Sequence, residues 1–165
     1  MPAITPNFLF ATQALEAAEF YVSIFPNATL DSVSYYGPGA PLPEGTPLVA
    51  EFTLDGTAFQ AINGGQAIEF TSSVSFRIVC HGQDEVDHYW NALGAGGAEG
   101  RCGWLTDKFG VSWQVTPVEM GEYLGHADPE VSQRCFMAMM GMKKIDLAEF
   151  EAIARLRPIT SRLSL

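Results

Sequence analysis

Residues 56–63, G-T-A-F-Q-A-I-N, are echoed by residues 110–117, G-V-S-W-Q-V-T-P. In each, a turn glycine is followed three positions later by an aromatic, then by glutamine, then by a β-prone tail. A second matching pair lies upstream. Residues 7–10, N-F-L-F, lead into a helical pattern over 16–25, and residues 75–78, S-F-R-I, lead into one over 84–93. A strand–helix–strands unit therefore occurs twice, which predicts two half-sites facing one cavity.

The first of these tails fixes its own register. Residues 48–54 and 57–62 flank Asp55-Gly56, a dipeptide suited to the two positive-φ positions of a tight hairpin. Pairing across it sets Leu54 opposite Thr57, Thr53 opposite Ala58, Phe52 opposite Phe59 and Glu51 opposite Gln60. Alternation then places the two phenylalanines on one face, for a helix to cover, and the carboxylate beside the carboxamide on the other.

The rest of the chain follows the same grammar. Residues 4–10 read as a strand. Thr12 offers an N-cap for a helix over 14–25 with Leu15, Ala18, Tyr21, Val22 and Phe25 at helical spacing, and Pro26-Asn27 ends it. Residues 28–36 alternate as a strand, and residues 37–47 form a Pro/Gly loop with Tyr35-Tyr36 beside it. In the second half, residues 74–80 read as a strand, 84–93 as a helix and 94–100 as a glycine-rich connector. Residues 102–106 and 111–116 form a hairpin around residues 107–110, with Trp104 opposite Trp113 in the core. Helices follow over 118–124, 129–142 and 146–154, the second of them rich in methionine and suited to packing against a sheet or a second subunit.

Composition limits the partners. The 165 residues are 47% hydrophobic and carry a net charge of −10, which excludes nucleic acid and anionic membrane as partners. Three scattered cysteines, Cys80, Cys102 and Cys135, form neither a disulfide framework nor metal-site spacing, and read as thiols of a reducing cytoplasm. We expect no signal peptide, since the N-terminus lacks a basic region followed by an apolar core. No apolar run is long enough to span a membrane. Gly64-Gly65 and Gly96-Gly97 lack phosphate-loop context.

Several runs resemble the PhnB-like family, often labelled 3-demethylubiquinone-9 3-methyltransferase. They are Ala18-Glu19-Phe20-Tyr21 with Ile24-Phe25-Pro26-Asn27, Glu51-Phe52 through Asp55-Gly56, Asn63-Gly64-Gly65, residues 102–114 (C-G-W-L-T-D-K-F-G-V-S-W-Q) and residues 141–146 (G-M-K-K-I-D). The family sits in the vicinal oxygen chelate superfamily of glyoxalase, bleomycin-resistance and extradiol dioxygenase proteins. The resemblance covers residues 3–154 and implies an α+β fold. Two βαβββ modules, about 3–66 and 72–118, would curl a mixed eight-stranded sheet around a cleft. A helical extension over 118–154 would complete one glyoxalase-like domain, residues 1–154, before a tail over 155–165. It also implies a homodimer.

In the superfamily a divalent metal sits in the cleft on ligands from the first and fourth strands of each module. Carried over, those places fall on Asn7, Gln60, Ser75 and Gln114. Gln114 is the firmest, lying seven residues after Asp107 as the superfamily's ligand glutamate does after its turn aspartate. Neutral amides and a hydroxyl are poor ligands for transition metals, so we expect no tightly held metal and no other cofactor. By strand parity Leu9, Arg77, Val79, Ser112 and Thr116 share the cleft-facing side, while Phe8, Phe10, Phe76, Ile78, Val111, Trp113 and Val115 face the helices.

The expected ligand site is therefore Asn7, Glu51, Gln60, Ser75, Arg77, Ser112 and Gln114. Its one cation and one anion suit a small ligand bearing carboxylate, carbonyl or phosphonate oxygens. Alternatively Arg77 and Glu51 neutralise each other or reach solvent, and the two glutamines tie the half-sheets together through buried amides. Glu51 is the one candidate for acid–base chemistry: His81 and His88 read as surface residues, and His126, where the family more often has an acid, reads as a local substitution or a pH-sensitive contact. A metal-assisted lyase, isomerase or dioxygenase is the alternative, requiring Glu51, Gln60 and Gln114 to hold an ion. A methyltransferase is disfavoured: the chain lacks a glycine-rich strand-to-helix turn with a following acid for an adenosyl cofactor.

Overall fold

The computed structural model describes residues 4–66 and 68–156. The chain divides into two compact units, Met1–Glu69 and Phe70–Leu165. Each carries its own four-stranded mixed sheet, with one helix in the first unit and four in the second among the described residues, an α+β architecture. The tail expected over 155–165 lies outside the described residues from 157 onward, and Arg155 itself closes the last helix.

Unit one runs β1 (Asn7–Phe10), α1 (Ala14–Ile24), β2 (Ala28–Tyr35), β3 (Pro47–Leu54) and β4 (Thr57–Asn63), in sheet order β1-β4-β3-β2. The hairpin register is the expected one at all four pairs, from Leu54↔Thr57 to Glu51↔Gln60. Asp55 (φ 44°) and Gly56 (φ 78°) both take the positive φ that such a turn demands. Phe8, Phe52, Phe59 and Tyr21 meet on the helix side. Phe52 stacks on Phe59 with centroids 5.5 Å apart, and Tyr21 of α1 stacks on Phe52 at 6.0 Å. Ala14, Ala17 and Ala18, fully buried, let the helix backbone approach the sheet closely.

The start of α1 is a correction. Thr12 does not cap it, and Gln13 in the capping position makes no side-chain bond. The Ala14 N–H is instead met by Asn63 Oδ1 at 2.8 Å, from the far end of β4. Asn63 is fully buried, its Nδ2 donates to the Pro47 carbonyl at 2.9 Å, and its own carbonyl accepts from the Tyr36 hydroxyl. One residue thus ties a helix N-terminus, a strand end and the Pro/Gly loop together.

Unit two repeats the plan: β5 (Phe76–Cys80), α2 (Gly82–Gly94), β6 (Ala98–Glu99), β7 (Trp104–Thr106) and β8 (Ser112–Pro117), in order β5-β8-β7-β6. The stretch expected to be a connector contains β6. A β-carbon on Gly97 would overlap the Thr106 carbonyl oxygen, and one on Gly100 would lie 2.8 Å from the Trp104 carbonyl oxygen. These glycines permit close strand approach and do not mark a linker. The expected hairpin register also fails by one residue. Leu105 pairs with Trp113 and Trp104 pairs with Gln114, so only Trp113 lies in the core.

Three helices complete the unit: α3 (Met120–Leu124), α4 (Pro129–Gly141) and α5 (Leu147–Arg155). They enclose a satellite core of Val131, Cys135, Met142, Ile145 and Phe150. The G-M-K-K-I-D run is the strap that fastens this core to the sheet. Cys102 and Gly103 N–H groups donate to the Met142 and Lys143 carbonyls, each at 2.8 Å. Gln83 of α2 clamps the strap's far end, donating to the Ile145 carbonyl and accepting from the Leu147 N–H. Asp146 then caps α5 through the Ala148 N–H.

Candidate functional site

On the face of the first sheet away from α1, polar side chains join in one line across all four strands. Asn7 Nδ2 donates to Gln60 Oε1 at 2.9 Å, Gln60 Nε2 donates to Glu51 Oε1 at 2.8 Å, and Ser32 Oγ donates to Glu51 Oε2 at 2.8 Å. Asn7 and Gln60 stand level in the parallel β1–β4 pair, and Glu51 stands level with both Gln60 and Ser32. The line therefore follows directly from register.

Both Glu51 oxygens accept a hydrogen bond. The donors, Ser32 first and Gln60 second, hold its carboxyl below the usual glutamate value. Such a carboxylate stays ionised and is a weak proton acceptor. Because the folded value is depressed, the stability these bonds contribute is present above the unfolded pKa and lost as pH falls through the folded one. Replacing Gln60 with Met removes the second donor, and carboxyl NMR titration is expected to show Glu51 moving back up towards its ordinary value. An unchanged titration would mean the amide does not hold it.

The sequence reading missed one acid on this face. A register shift between Leu30 and Ser32 bulges β2 at Asp31, which accepts from Thr29 at 2.6 Å and from Thr53 at 2.7 Å. Strict alternation could not place a residue at a bulge. The Thr29 and Thr53 hydroxyls lower the Asp31 pKa.

On the second sheet Gln114 Nε2 donates to Ser75 Oγ at 2.8 Å. Arg77 Nε donates to Thr116 Oγ1 at 2.9 Å, which orients the guanidinium. No other bond or ion pair of that guanidinium is found among the described residues. Ser112 and Thr116 are buried on the same side. The strand partner of Gln114 is Arg77, whereas that of Gln60 is Asn7. Ser75, carried over as a ligand position, lies just before β5 and reaches Gln114 diagonally.

Each glutamine thus has its partners within its own sheet. The amide–hydroxyl set of Asn7, Gln60, Ser75 and Gln114 carries no charge, and the Gln60 oxygen is already committed to Asn7. These residues do not fit a dehydrated transition-metal ion. Among the described residues, no group of three or more His, Cys, Asp or Glu is arranged to hold one.

The remaining candidates have local roles. His81 and His88 are exposed, His88 against Tyr89 with ring centroids 4.9 Å apart. His126 Nδ1 accepts from the Asp128 N–H at 3.0 Å in the turn before α4. Burial, with Glu85 and Glu119 nearby, pushes the Cys80 thiol up to about 12, which leaves it unreactive. No helix among the described residues is long and apolar enough to cross a membrane.

A family model described as 3-demethylubiquinone-9 3-methyltransferase matches residues 2–116. Among solved structures, a PhnB protein from Bacillus cereus carrying the same methyltransferase label is 34% identical. The match covers 71% of this chain and all of that one, with a TM-score of 0.66. Protein PA1353 from Pseudomonas aeruginosa is 23% identical over 71% of this chain and 98% of its own, TM-score 0.59. The fosfomycin resistance protein FosX from Listeria monocytogenes, complexed with Mn(II) and sulfate, is 16% identical over 77% of this chain and 98% of its own, TM-score 0.50, a likeness of fold. A search of curated proteins finds no match. The duplicated βαβββ units and these likenesses agree, and the chain belongs to the PhnB-like family labelled 3-demethylubiquinone-9 3-methyltransferase.

Proposed function

We propose that the protein binds a small polar or acidic organic ligand on the polar face of its second sheet, without a tightly held metal. The observation that carries the reading is Arg77. Its Nε is held by Thr116, so its terminal nitrogens are oriented while remaining available to a carboxylate or phosphonate. Gln114, Ser75 and Ser112, in the same unit as Arg77, supply neutral donors and acceptors for the rest of the ligand. Glu51, ionised and saturated, disfavours a second negative group near it.

Calorimetric titration with acetate, pyruvate and methylphosphonate tests this. Binding is expected for at least one of them, weakened about 10- to 100-fold in Arg77→Ala, the size of one charge-assisted contact. Elemental analysis is expected to find no stoichiometric divalent metal, and Mn(II), Zn(II) and Ni(II) are expected to leave the thermal midpoint unchanged. Stoichiometric metal that disappears in Glu51→Ala would instead favour a metal-assisted lyase, isomerase or dioxygenase, for which the Mn(II) complex of the Listeria protein is the precedent in this fold. The methyltransferase label finds no support in the residues, since neither sheet carries the glycine-rich turn an adenosyl cofactor needs. We place the protein in the cytoplasm as a homodimer: its cysteines are free and α4 exposes Phe136, Met137 and Met140. Light scattering tests the assembly.

A further inference from the structure

The corrected register of the second hairpin changes the chemistry of the second face. Trp104 pairs with Gln114, and Gln114 pairs with Arg77, so an indole, a carboxamide and a guanidinium stand level on three adjacent strands. Leu105, the next residue, is buried on the helix side with Trp113, and alternation puts Trp104 on the face of Gln114.

The three tryptophans are held differently. Trp90 Nε1 donates to Glu99 at 3.4 Å and Trp113 Nε1 donates to Asp107 at 2.8 Å. Trp104 is half-buried, and among the described residues its indole N–H has no hydrogen-bond partner and its ring no aromatic neighbour. A large flat side chain fixed on a strand, with neither contact made, is a surface on which another planar group can lie.

Resting on the reading that this face binds small organic acids, we infer that Arg77, Gln114 and Trp104 form one recognition row whose ligand is a planar aromatic carboxylate. Adjacent strands are about 4.8 Å apart, so Arg77 and Trp104 stand roughly 10 Å apart at the backbone. A benzene ring bearing one carboxylate suits that span, its anion on the guanidinium and its ring on the indole. The amide of Gln114 lies between, able to donate to the same carboxylate. The first sheet offers no such row. At the place of Trp104 it has Glu51, which pairs with Gln60 as Trp104 pairs with Gln114. The duplicated halves therefore differ in function: one face is acidic, the other cationic and aromatic.

Benzoate and cyclohexanecarboxylate, equal in charge and near in size, separate the ring from the acid. Titrated calorimetrically into the intact protein, benzoate is expected to bind about three- to tenfold more tightly, the usual worth of aromatic contact beyond area. Trp104→Leu should abolish that preference while cyclohexanecarboxylate still binds, and Trp104→Phe should retain most of it. Arg77→Ala should weaken both acids alike. Equal affinities that still depend on Arg77, or a preference that survives Trp104→Leu, overturn the inference and leave acid binding standing. If neither these acids nor the smaller ones bind, or if binding ignores Arg77, the underlying reading falls as well.

Discussion

Asp107→Ala is expected to lower the stability of the second unit by about 3–5 kcal/mol, because it leaves three donors in the β7–β8 turn without a partner. Asp107 is 3% exposed. Its Oδ1 accepts from the Phe109 and Val111 N–H groups at 2.9 and 3.0 Å, and its Oδ2 accepts from Trp113 Nε1 at 2.8 Å. The backbone closes around it, the Asp107 N–H bonding to the Val111 carbonyl and the Gly110 N–H to the Asp107 carbonyl. Gly110, at φ 89°, supplies the conformation that other residues resist. Asp107→Asn keeps one acceptor oxygen but presents an NH₂ group towards another donor, so about 1–3 kcal/mol is expected from it. Urea denaturation followed by tryptophan fluorescence measures both. A loss below 1 kcal/mol in the alanine variant would mean that the carboxylate does not organise the turn.

The second large effect is at Asn63. Asn63→Leu keeps the branched outline of the side chain but strands the Ala14 N–H in a buried setting and the Pro47 carbonyl in a part-buried one. Two such groups cost about 2–4 kcal/mol together, and the first turn of α1 should lose hydrogen-exchange protection before the sheet does. Asn63→Asp distinguishes the two bonds. Its carboxylate still accepts from Ala14 but meets the Pro47 carbonyl with like charge, which raises its folded pKa. The resulting penalty is absent below the unfolded pKa and grows as pH rises towards the folded one, so this variant should recover stability in acid. Stability of Asn63→Asp that is independent of pH between 3 and 7 (roughly the span over which a raised carboxyl titrates) would contradict the assigned bonds.

Where a turn was short and fully specified, the fold was legible in the sequence. Asp55-Gly56 could only be a two-residue turn, so every pair along β3 and β4 followed, together with the Glu51–Gln60 contact. The second hairpin gave no such constraint. Treating residues 107–110 as a symmetric turn paired Trp104 with Trp113, whereas the loop extends to Val111, whose carbonyl closes it. One residue of slip moved Trp104 from the core to the candidate ligand face.

Two other features were beyond local pattern. The cap of α1 comes from 49 residues away, where helix-start signals cannot look. The bulge that brings Asp31 beside Thr53 breaks the alternation used to sort faces. Among the expected site residues, Asn7, Gln60 and Glu51 come together in one line, Ser75 meets Gln114, and Arg77 meets Thr116. Strand parity could sort these side chains by face, but only the register could say which ones touch.

The claim on which the rest depends is that anion recognition here is carried by a guanidinium and neutral donors, with no metal ion as intermediary. Titrating benzoate into the protein in chelator, and again in saturating Mn(II), tests it most directly. Equal affinity in the two solutions, lost in Arg77→Ala, is the predicted result. Binding that appears only with the metal present would contradict it.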